Sequence, residues 1–207
     1  PSVGNSTMNK PETSIERHRA KREAVYEAAA TVFAQYGFRR TTMNDIAQAA
    51  GISRPALYLM FANKENLFQG LAAFRLDQAI EQALDVLAGG GDTNERVIEA
   101  LLVFERIFYE PIADSPHGAE LMDISQSLAS ELMMKDIVRL HAALAKTLSD
   151  AEQAGEVNFG NSPLKPKAFV ELLFTGVNGV KKKANNTEEF RKMVKQLAEV
   201  FLQSVTK

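Results

Sequence analysis

Apolar residues recur at steps of three and four over most of the chain, which is the spacing of helices that bury one face. The first such stripe consists of Val25, Ala28, Ala29, Val32, Phe33 and Tyr36. Thr13 and Glu16 have capping-box spacing ahead of the stripe, and Gly37 can end the helix because glycine tolerates a positive φ. The pattern therefore predicts a long first helix between Thr13 and Gly37.

Capping residues and helix breakers divide the rest of the chain into further helices. Thr42 and Gly51 bound a short second helix, and Ser53 caps a third that runs to about Met60. The later helices are predicted over residues 64–88, 92–110, 118–133, 135–154, 167–184 and 188–205. Neither a hairpin turn of the Asn-Gly or Asp-Gly type nor an internal repeat is found. We therefore predict an all-α protein of about nine helices without a strand.

Residues 41–61 have the pattern of two short helices joined by a turn at Gly51-Ile52-Ser53. The predicted inner face, which packs on the first helix, consists of Ile46, Ala50, Ile52, Leu57 and Phe61. A recognition helix presents its opposite face to base edges in the major groove of DNA. The segment therefore predicts a helix-turn-helix unit that binds DNA, and a plain helical hairpin with solvated polar side chains is the alternative.

Side chains around this unit have the chemistry that DNA contacts require. Threonine and serine at a helix N-terminus can bind phosphate beside free backbone amides. Arginine can bond a guanine edge or a phosphate, tyrosine can reach a phosphate, and leucine can touch a thymine methyl group. The candidate DNA-binding residues are Arg40, Thr41, Thr42, Ser53, Arg54, Pro55, Tyr58, Leu59 and Lys64.

Charge is distributed unevenly along the 207 residues. Residues 1–70 carry nine Lys and Arg against six Asp and Glu, whereas the whole chain carries 24 against 26. The basic first third is consistent with a polyanionic partner at that end. No apolar run is long enough to cross a membrane, and the first residues lack the apolar core of a signal peptide, so we expect a cytoplasmic protein without a membrane partner.

The run from Thr42 to Phe68 reads T-x-x-x-I-A-x-x-A-G-I-S-R-x-x-L-Y-x-x-F-x-x-K-E-x-L-F. It closely resembles the DNA-binding domain of the tetracycline-repressor (TetR) family, and the resemblance covers the first 70 residues. Leu59 and Met60 stand where many members have an aromatic residue and a histidine, and Pro55 replaces a small residue. These departures affect the operator that the protein would read, not the DNA-binding role.

The resemblance implies a division of the chain and a function. Residues 1–14 would be a flexible tail, residues 15–70 the helix-turn-helix domain, and residues 71–207 a domain for effector binding and dimerisation. The protein would be a homodimeric transcriptional regulator, a repressor that an unknown small-molecule effector releases from a palindromic operator. The alternatives are a helical DNA-binding protein that needs no effector and, less favoured, an all-α enzyme with an unrecognised site.

The last two predicted helices have apolar faces that favour a four-helix bundle between two subunits, and closure of the core of one subunit is the alternative. The candidate interface residues are Phe169, Leu173, Gly176, Val177, Val180, Val194, Leu197 and Phe201. Lys181, Lys182 and Lys183 are expected to be solvated at a helix C-terminus.

Bulky apolar residues on the middle helices could line an effector cavity or could simply form core. The candidate ligand-binding residues are Phe74, Phe104, Ile107, Phe108, Met122 and Phe174. Polar groups that could orient a ligand are Arg106, Tyr109, His141 and Asn178.

The sequence shows few residue patterns that are typical of enzymes. There is no cysteine, which excludes a disulfide scaffold, a thiolate metal site and a cysteine nucleophile. His18, His117 and His141 are far apart in sequence, and neither a zinc motif, a phosphate-binding loop nor a serine-nucleophile elbow occurs. We therefore expect no metal, no cofactor and no catalytic residue.

Overall fold

A computed structural model describes residues 13–206 of the chain. Within that range it contains nine helices and no strand beyond an isolated bridge between Val157 and Thr206. The helices are α1 (Ser14–Tyr36), α2 (Met43–Ala49), α3 (Arg54–Met60), α4 (Lys64–Ala88), α5 (Thr93–Phe108), α6 (Glu110–Ala113), α7 (Gly118–Ala154), α8 (Pro166–Lys181) and α9 (Thr187–Gln203). The predicted all-α class is confirmed. Most of the predicted tail, residues 1–12, lies outside the described residues.

The predicted helix caps are present. Thr13 and Glu16 form a reciprocal capping box at the start of α1, and Gly37 follows its last turn with φ at 80°. The Ser53 hydroxyl accepts a hydrogen bond from the Ala56 amide at the start of α3, and the Asn63 side-chain oxygen accepts one from the Asn66 amide at the start of α4. Each side chain satisfies an amide that has no partner inside the helix, so these boundaries are set locally by the sequence.

The middle of the chain differs from the prediction in two places. A single helix of 37 residues, α7, replaces the two helices that were predicted over residues 118–133 and 135–154. Neither proline nor glycine follows Gly118 in this helix, so nothing interrupts the backbone hydrogen bonds. Pro111, which was expected to follow the fifth helix, lies in the first turn of α6, where a missing amide hydrogen costs nothing.

Two hydrophobic cores share helix α4. The N-terminal core packs α1, α2, α3 and the first part of α4, with Leu67, Phe68 and Leu71 contributed by α4. The C-terminal core packs α5, α7, α8 and α9 around the rest of α4, beginning with Leu76. Because one continuous helix belongs to both cores, a displacement of α4 reaches both ends of the molecule.

The buried stripe of α1 is shifted from the predicted one at its end. Tyr36, predicted to be inside, is exposed, whereas Tyr26 is buried. The Tyr26 ring lies 5.4 Å from the Phe61 ring and 5.3 Å from the Phe74 ring. None of the helices in the described range is long and apolar enough to span a membrane.

Candidate nucleic-acid interface and internal cavities

The turn between α2 and α3 depends on a glycine with a positive φ. Gly51 has φ at 64°, a conformation that L side chains rarely adopt. Its amide donates to the Gln48 carbonyl at 3.2 Å, and the next amide, of Ile52, donates to the Ala47 carbonyl at 3.0 Å. These two hydrogen bonds close the end of α2 and direct the chain into α3.

The N-terminus of α2 carries a compact hydrogen-bonded cap. The Thr42 backbone amide donates to Asp45 Oδ2 at 2.8 Å, and the Thr42 hydroxyl donates to the same oxygen at 2.7 Å. These hydrogen bonds lower the pKa of Asp45, because they stabilise its carboxylate. Thr42 itself is exposed. The Thr42 hydroxyl therefore already makes a hydrogen bond within the helix cap, and this cap lies at the surface.

The inner face of α2 and α3 is buried at its centre, whereas Ala50 and Ile52 near the turn are only partly buried. Ile46 and Leu57 have no exposed surface, and Phe61, which follows α3, is 1% exposed. This packing fixes which side of α3 faces outward.

The outer face of α3 presents side chains that the fold does not use. Arg54, Pro55, Tyr58 and Leu59 are all exposed, with Leu59 at 89% and Tyr58 at 42% of their possible surface. The Arg54 guanidinium lies 5.5 Å from the centre of the Tyr58 ring. We call these four residues the α3 outer face. An exposed leucine beside an arginine and a tyrosine has no packing role here, so it is available to a partner.

Two candidate DNA-binding residues have structural roles instead. The Thr41 side chain is buried, and its hydroxyl donates to the Gly37 carbonyl at 2.6 Å. The Lys64 ammonium donates to the carbonyls of Phe38 and Thr41 at 2.7 and 2.8 Å and lies 4.5 Å from the Phe38 ring. Both side chains thus hold the loop between α1 and α2 together. The prediction that they face phosphate is corrected, because their polar groups are already used by this loop.

Arg22 is a positioning residue that the sequence did not reveal. Its guanidinium donates to the Met60 carbonyl at 3.1 Å and lies 4.5 Å from the Phe61 ring. It also donates to the Tyr26 hydroxyl at 3.2 Å. Arg22 therefore ties the end of α3 to α1, a contact across 38 residues that no local pattern predicts.

The loop after α1 is joined to the start of α7. The Arg39 amide donates to Glu120 Oε1 at 2.7 Å, and His117 Nδ1 lies 3.9 Å from the other oxygen of Glu120. The Ser115 hydroxyl donates to the carbonyl of Ala34, in the last turns of α1, at 2.8 Å. These contacts connect the helix-turn-helix unit directly to the long helix of the C-terminal core.

Two neighbouring cavities lie between the helices and open partly to solvent. The junction cavity, of about 260 Å³, lies between α1, α4 and the α5–α7 region. Its lining includes Ala30, Phe33, Ala34, Phe68, Leu71, Arg75, Ile107 and Leu121. The core cavity, of about 350 Å³, lies between α5, α7 and α8. Phe108, Ile112 and Ser125 line both cavities and therefore separate them.

The predicted ligand-binding residues divide between these cavities and the N-terminal core. Phe104, Met122 and Phe174 line the core cavity, Ile107 lines the junction cavity, and Phe108 lines both. Phe74 lines neither and stacks on Tyr26 in the N-terminal core. The prediction for Phe74 is therefore corrected.

The predicted polar groups divide in the same way. Tyr109, His141 and Asn178 line the core cavity. Arg106 is exposed and lies 3.6 Å from the Glu99 carboxylate, outside the cavity. Its position is corrected because it projects from the solvent side of α5.

The core cavity has a charged end that the sequence did not predict. Glu105 of α5 is 1% exposed, and Lys181 Nζ of α8 lies 2.8 Å from its Oε2. Burial raises the pKa of Glu105. Lys181 was expected to be solvated, but only Lys182 and Lys183 are exposed. The ion pair joins residues 76 positions apart in the chain, so spacing alone could not reveal it.

Comparison with known proteins identifies the N-terminal unit. The model of a family described as bacterial regulatory proteins, tetR family, matches residues 25–71. The uncharacterised HTH-type transcriptional regulator YfiR of Bacillus subtilis is 39% identical over 66 residues, which are 31% of this chain and 32% of that protein. The HTH-type transcriptional repressor KstR2 of Rhodococcus jostii is 36% identical over 99 residues, 48% of this chain and 46% of the repressor. Residues 25–71, which include the helix-turn-helix unit, therefore resemble the DNA-binding part of the TetR family.

The likeness to a solved structure extends over nearly the whole chain. A TetR transcription regulator from Haloarcula marismortui superposes on 91% of this chain and 100% of its own, with a TM-score of 0.74 at 16% identity. That likeness shows the fold of the C-terminal part as well. The aligned residues span less than half the length of the two sequence relatives above.

The predicted dimer face is only partly on the surface. Phe169, Leu173, Val177 and Val194 are buried in the C-terminal core of the chain itself, which corrects their assignment to an interface. These four side chains face inward because α8 and α9 pack against α5 and α7 in the C-terminal core. Gly176, Val180, Leu197 and Phe201 are partly buried, with the Leu197 side chain close against Gly176.

The outward surface of α8 and α9 carries apolar side chains. Leu172 is 48% exposed and Val200 is 64% exposed. Gly176 of α8 and Leu197 of α9 meet where the two helices are in contact. We call these four residues the α8–α9 stripe.

Proposed function

We propose that the protein is a homodimeric, sequence-specific DNA-binding transcriptional regulator, a repressor that a small-molecule effector releases from a palindromic operator. The α3 outer face carries this proposal, because it combines a fixed orientation with side chains that the fold leaves free. The match of residues 25–71 to the TetR family model and the name of the repressor relative from Rhodococcus jostii support the proposal.

Each residue of the α3 outer face has a part in this proposal. Arg54, in the first turn of α3, reaches a guanine edge or a phosphate. Tyr58 donates its hydroxyl to a phosphate, and Leu59 contacts a thymine methyl group. Pro55 stabilises the first turn of α3, because its ring holds φ at the helical value.

Phosphate contacts orient the recognition helix. The N-terminus of α2 follows Thr42 and that of α3 follows Ser53, and Arg40 adds an exposed positive charge before α2. These contacts act on any sequence, whereas the α3 outer face distinguishes one sequence from another. Arg22 supports the arrangement without touching DNA, because it holds the end of α3 on α1.

Dimerisation is proposed through the α8–α9 stripe. Leu172 and Val200 expose apolar surface that a second copy of the stripe would cover, giving a four-helix bundle with two-fold symmetry. Two recognition helices would then read successive major grooves about 34–36 Å apart, and the operator would be a palindrome.

Effector binding is proposed in the core cavity, within a regulatory domain of residues 71–207. Residues 15–70 would be the DNA-binding domain, and α4 connects the two because it lies in both cores. An effector changes DNA affinity only as far as it binds one subunit arrangement more tightly than the other. The shared wall of the two cavities and the contact of Arg39 with Glu120 provide a route from the cavity to the helix-turn-helix unit.

The proposal is tested by enrichment of sheared genomic DNA with the purified full chain, followed by sequencing. We expect a shared palindrome for the unmodified protein and its loss for Tyr58→Ala. Leu132→Ala is the matched control, because Leu132 of α7 is as exposed as Tyr58 but lies far from α3 in the chain. Enrichment of no common sequence, or equal enrichment by Tyr58→Ala, would contradict the proposed function.

A further inference from the structure

The charged end of the core cavity is an ion pair whose two members are unequally free to move. Glu105 on α5 is 1% exposed, so its carboxylate is almost fully shielded from bulk solvent although it lines the core cavity. Lys181 is the last residue of α8, and its side chain is 16% exposed. A lysine ammonium on a flexible four-carbon stem can turn toward water, whereas the buried carboxylate needs a positive partner where it lies.

The walls around this ion pair suit a positive charge. The Lys181 ammonium already lies 5.0 Å from the centre of the Tyr109 ring, at the rim of the cavity. Phe104, Phe108 and Phe174 add further aromatic surface to the lining. Aromatic faces attract cations through their quadrupole, and the attraction is larger where water is excluded.

The histidine on the cavity wall does not repel a cation. His141 lies on the cavity wall with its ring centre 4.2 Å from that of Phe174, and its buried Nε2 has no hydrogen-bond partner. Burial lowers the pKa of His141, so the ring is uncharged near neutral pH. Among the described residues that line the core cavity, Glu105 and Lys181 are the ionised ones. An anion in the cavity would be repelled by Glu105. A cation would be repelled only by Lys181, whose side chain can turn toward water.

We propose that the core cavity binds an apolar organic cation, a molecule with an aromatic or aliphatic body and an amine whose ammonium replaces that of Lys181 at Glu105. The body of the molecule occupies the space between Phe104, Met122 and Phe174. The ammonium donates to the Glu105 carboxylate, and a charge-assisted hydrogen bond in a buried site is among the stronger polar contacts that a ligand can make.

This exchange gives the ligand a structural consequence. With Lys181 displaced, the end of α8 loses its ion pair to α5 and keeps a weaker link, the 3.4 Å hydrogen bond from the Tyr109 hydroxyl to the Lys181 carbonyl. Since α8 carries half of the α8–α9 stripe, the ligand would change how two subunits meet. This inference rests on the proposed function in taking the bound cation to be the effector.

The test uses three probes that share one body and differ in the head group: 4-phenylbutylamine, 4-phenylbutan-1-ol and 4-phenylbutanoate. Isothermal titration calorimetry on the full chain at neutral pH should give an amine affinity at least about tenfold above that of the alcohol, a difference of about 1.4 kcal/mol. The carboxylate should bind more weakly than the alcohol. Equal affinities of amine and alcohol, or no measurable binding of the amine, would overturn the inference.

Two substitutions should act in opposite directions. Glu105→Gln keeps the size of the side chain and should bring the amine and the alcohol to within about twofold of each other. Lys181→Met removes the competing ammonium and should strengthen amine binding several-fold, whereas Lys182→Met, at an exposed neighbour, should change nothing. Should Glu105→Gln fail to fold, Lys181→Met still decides, because weaker or unchanged amine binding in that variant contradicts an exchange at Glu105.

DNA enrichment distinguishes the failure of this inference from the failure of the proposed function. Loss of the amine preference with an intact palindrome contradicts the cation site alone. An amine preference with the expected response to Glu105→Gln, but without any enriched palindrome, contradicts the DNA-binding function and leaves the cavity chemistry in place.

Discussion

The backbone amide of Arg39 donates a hydrogen bond to the carboxylate of Glu120 at 2.7 Å. Arg39 lies just after α1, and Glu120 lies in the first turn of α7, 81 residues further along the chain. Gly37 lies next to this contact and has φ at 80°. A Cβ at Gly37 would overlap the Glu120 carboxylate. The loop that positions α2 is therefore held by a residue at the start of α7.

We expect Gly37→Ala to destabilise the protein. The substitution forces an L side chain into a positive φ and into the space of Glu120, so the free energy of unfolding should fall by about 1–3 kcal/mol. Urea unfolding followed by circular dichroism measures this change. Gly90→Ala is the control, because a Cβ at Gly90 meets no atom within 4 Å. An unfolding midpoint of Gly37→Ala equal to that of Gly90→Ala would show that the contact is not strained.

Lys64→Met should act on stability rather than directly on DNA. The substitution leaves the carbonyls of Phe38 and Thr41 without the ammonium that binds them, and the loss should be about 1–3 kcal/mol in the free energy of unfolding. The salt dependence of DNA binding reports phosphate contacts, so its slope should stay unchanged in the folded variant.

Lys135→Met is the matched control for Lys64, since Lys135 is an exposed lysine of α7. It should leave both stability and DNA affinity unaltered. A normal unfolding midpoint for Lys64→Met together with a slope reduced by about one would assign Lys64 to a phosphate contact instead.

The sequence predicts features that are determined within a few residues. The caps at Thr13, Ser53 and Asn63 follow from local hydrogen-bonding capacity, and the outer face of α3 follows from the helical period. The helix-turn-helix unit is recognisable for this reason: its turn, caps and inner face all lie within residues 41–61.

Features that depend on distant partners could not be predicted in this way. Lys64 and Thr41 have the chemistry of phosphate contacts, yet the fold directs their polar groups at carbonyls of the loop after α1. For α8, apolar residues occur on two sides, and only the packed structure shows that Leu173 faces inward and Leu172 outward. The Glu105–Lys181 pair depends on how α5 meets α8, which the one-dimensional pattern does not contain.

Leu172→Glu combined with Val200→Glu should convert the protein from a dimer to a monomer. Two like charges in each copy of the α8–α9 stripe would be buried without partners in a two-fold interface, which strongly disfavours association. Size-exclusion chromatography with light scattering should give half the mass of the unmodified protein, and the helical circular dichroism signal should be retained because both positions are exposed in the single chain.

Val138→Glu controls for an added charge on an exposed apolar position, since Val138 lies on α7 and is 59% exposed. That variant should remain a dimer. A dimeric mass for the doubly substituted protein would place the interface elsewhere, and a monomeric mass for the unmodified protein would contradict the proposed homodimer.

Arg54→Ala should weaken operator binding and relax its sequence preference, whereas Arg106→Ala should do neither. Both substitutions remove one exposed positive charge, but Arg54 is on the α3 outer face and Arg106 lies on α5 beside Glu99. A bidentate contact to guanine contributes about 1–3 kcal/mol, so the affinity for the operator should fall roughly 5- to 150-fold while that for random DNA falls less. Fluorescence anisotropy at a fixed salt concentration, with the enriched palindrome and a scrambled duplex, measures both affinities. An equal loss on the two duplexes would make Arg54 a phosphate contact, and an equal loss in Arg54→Ala and Arg106→Ala would show that net charge alone, rather than the α3 outer face, governs DNA binding.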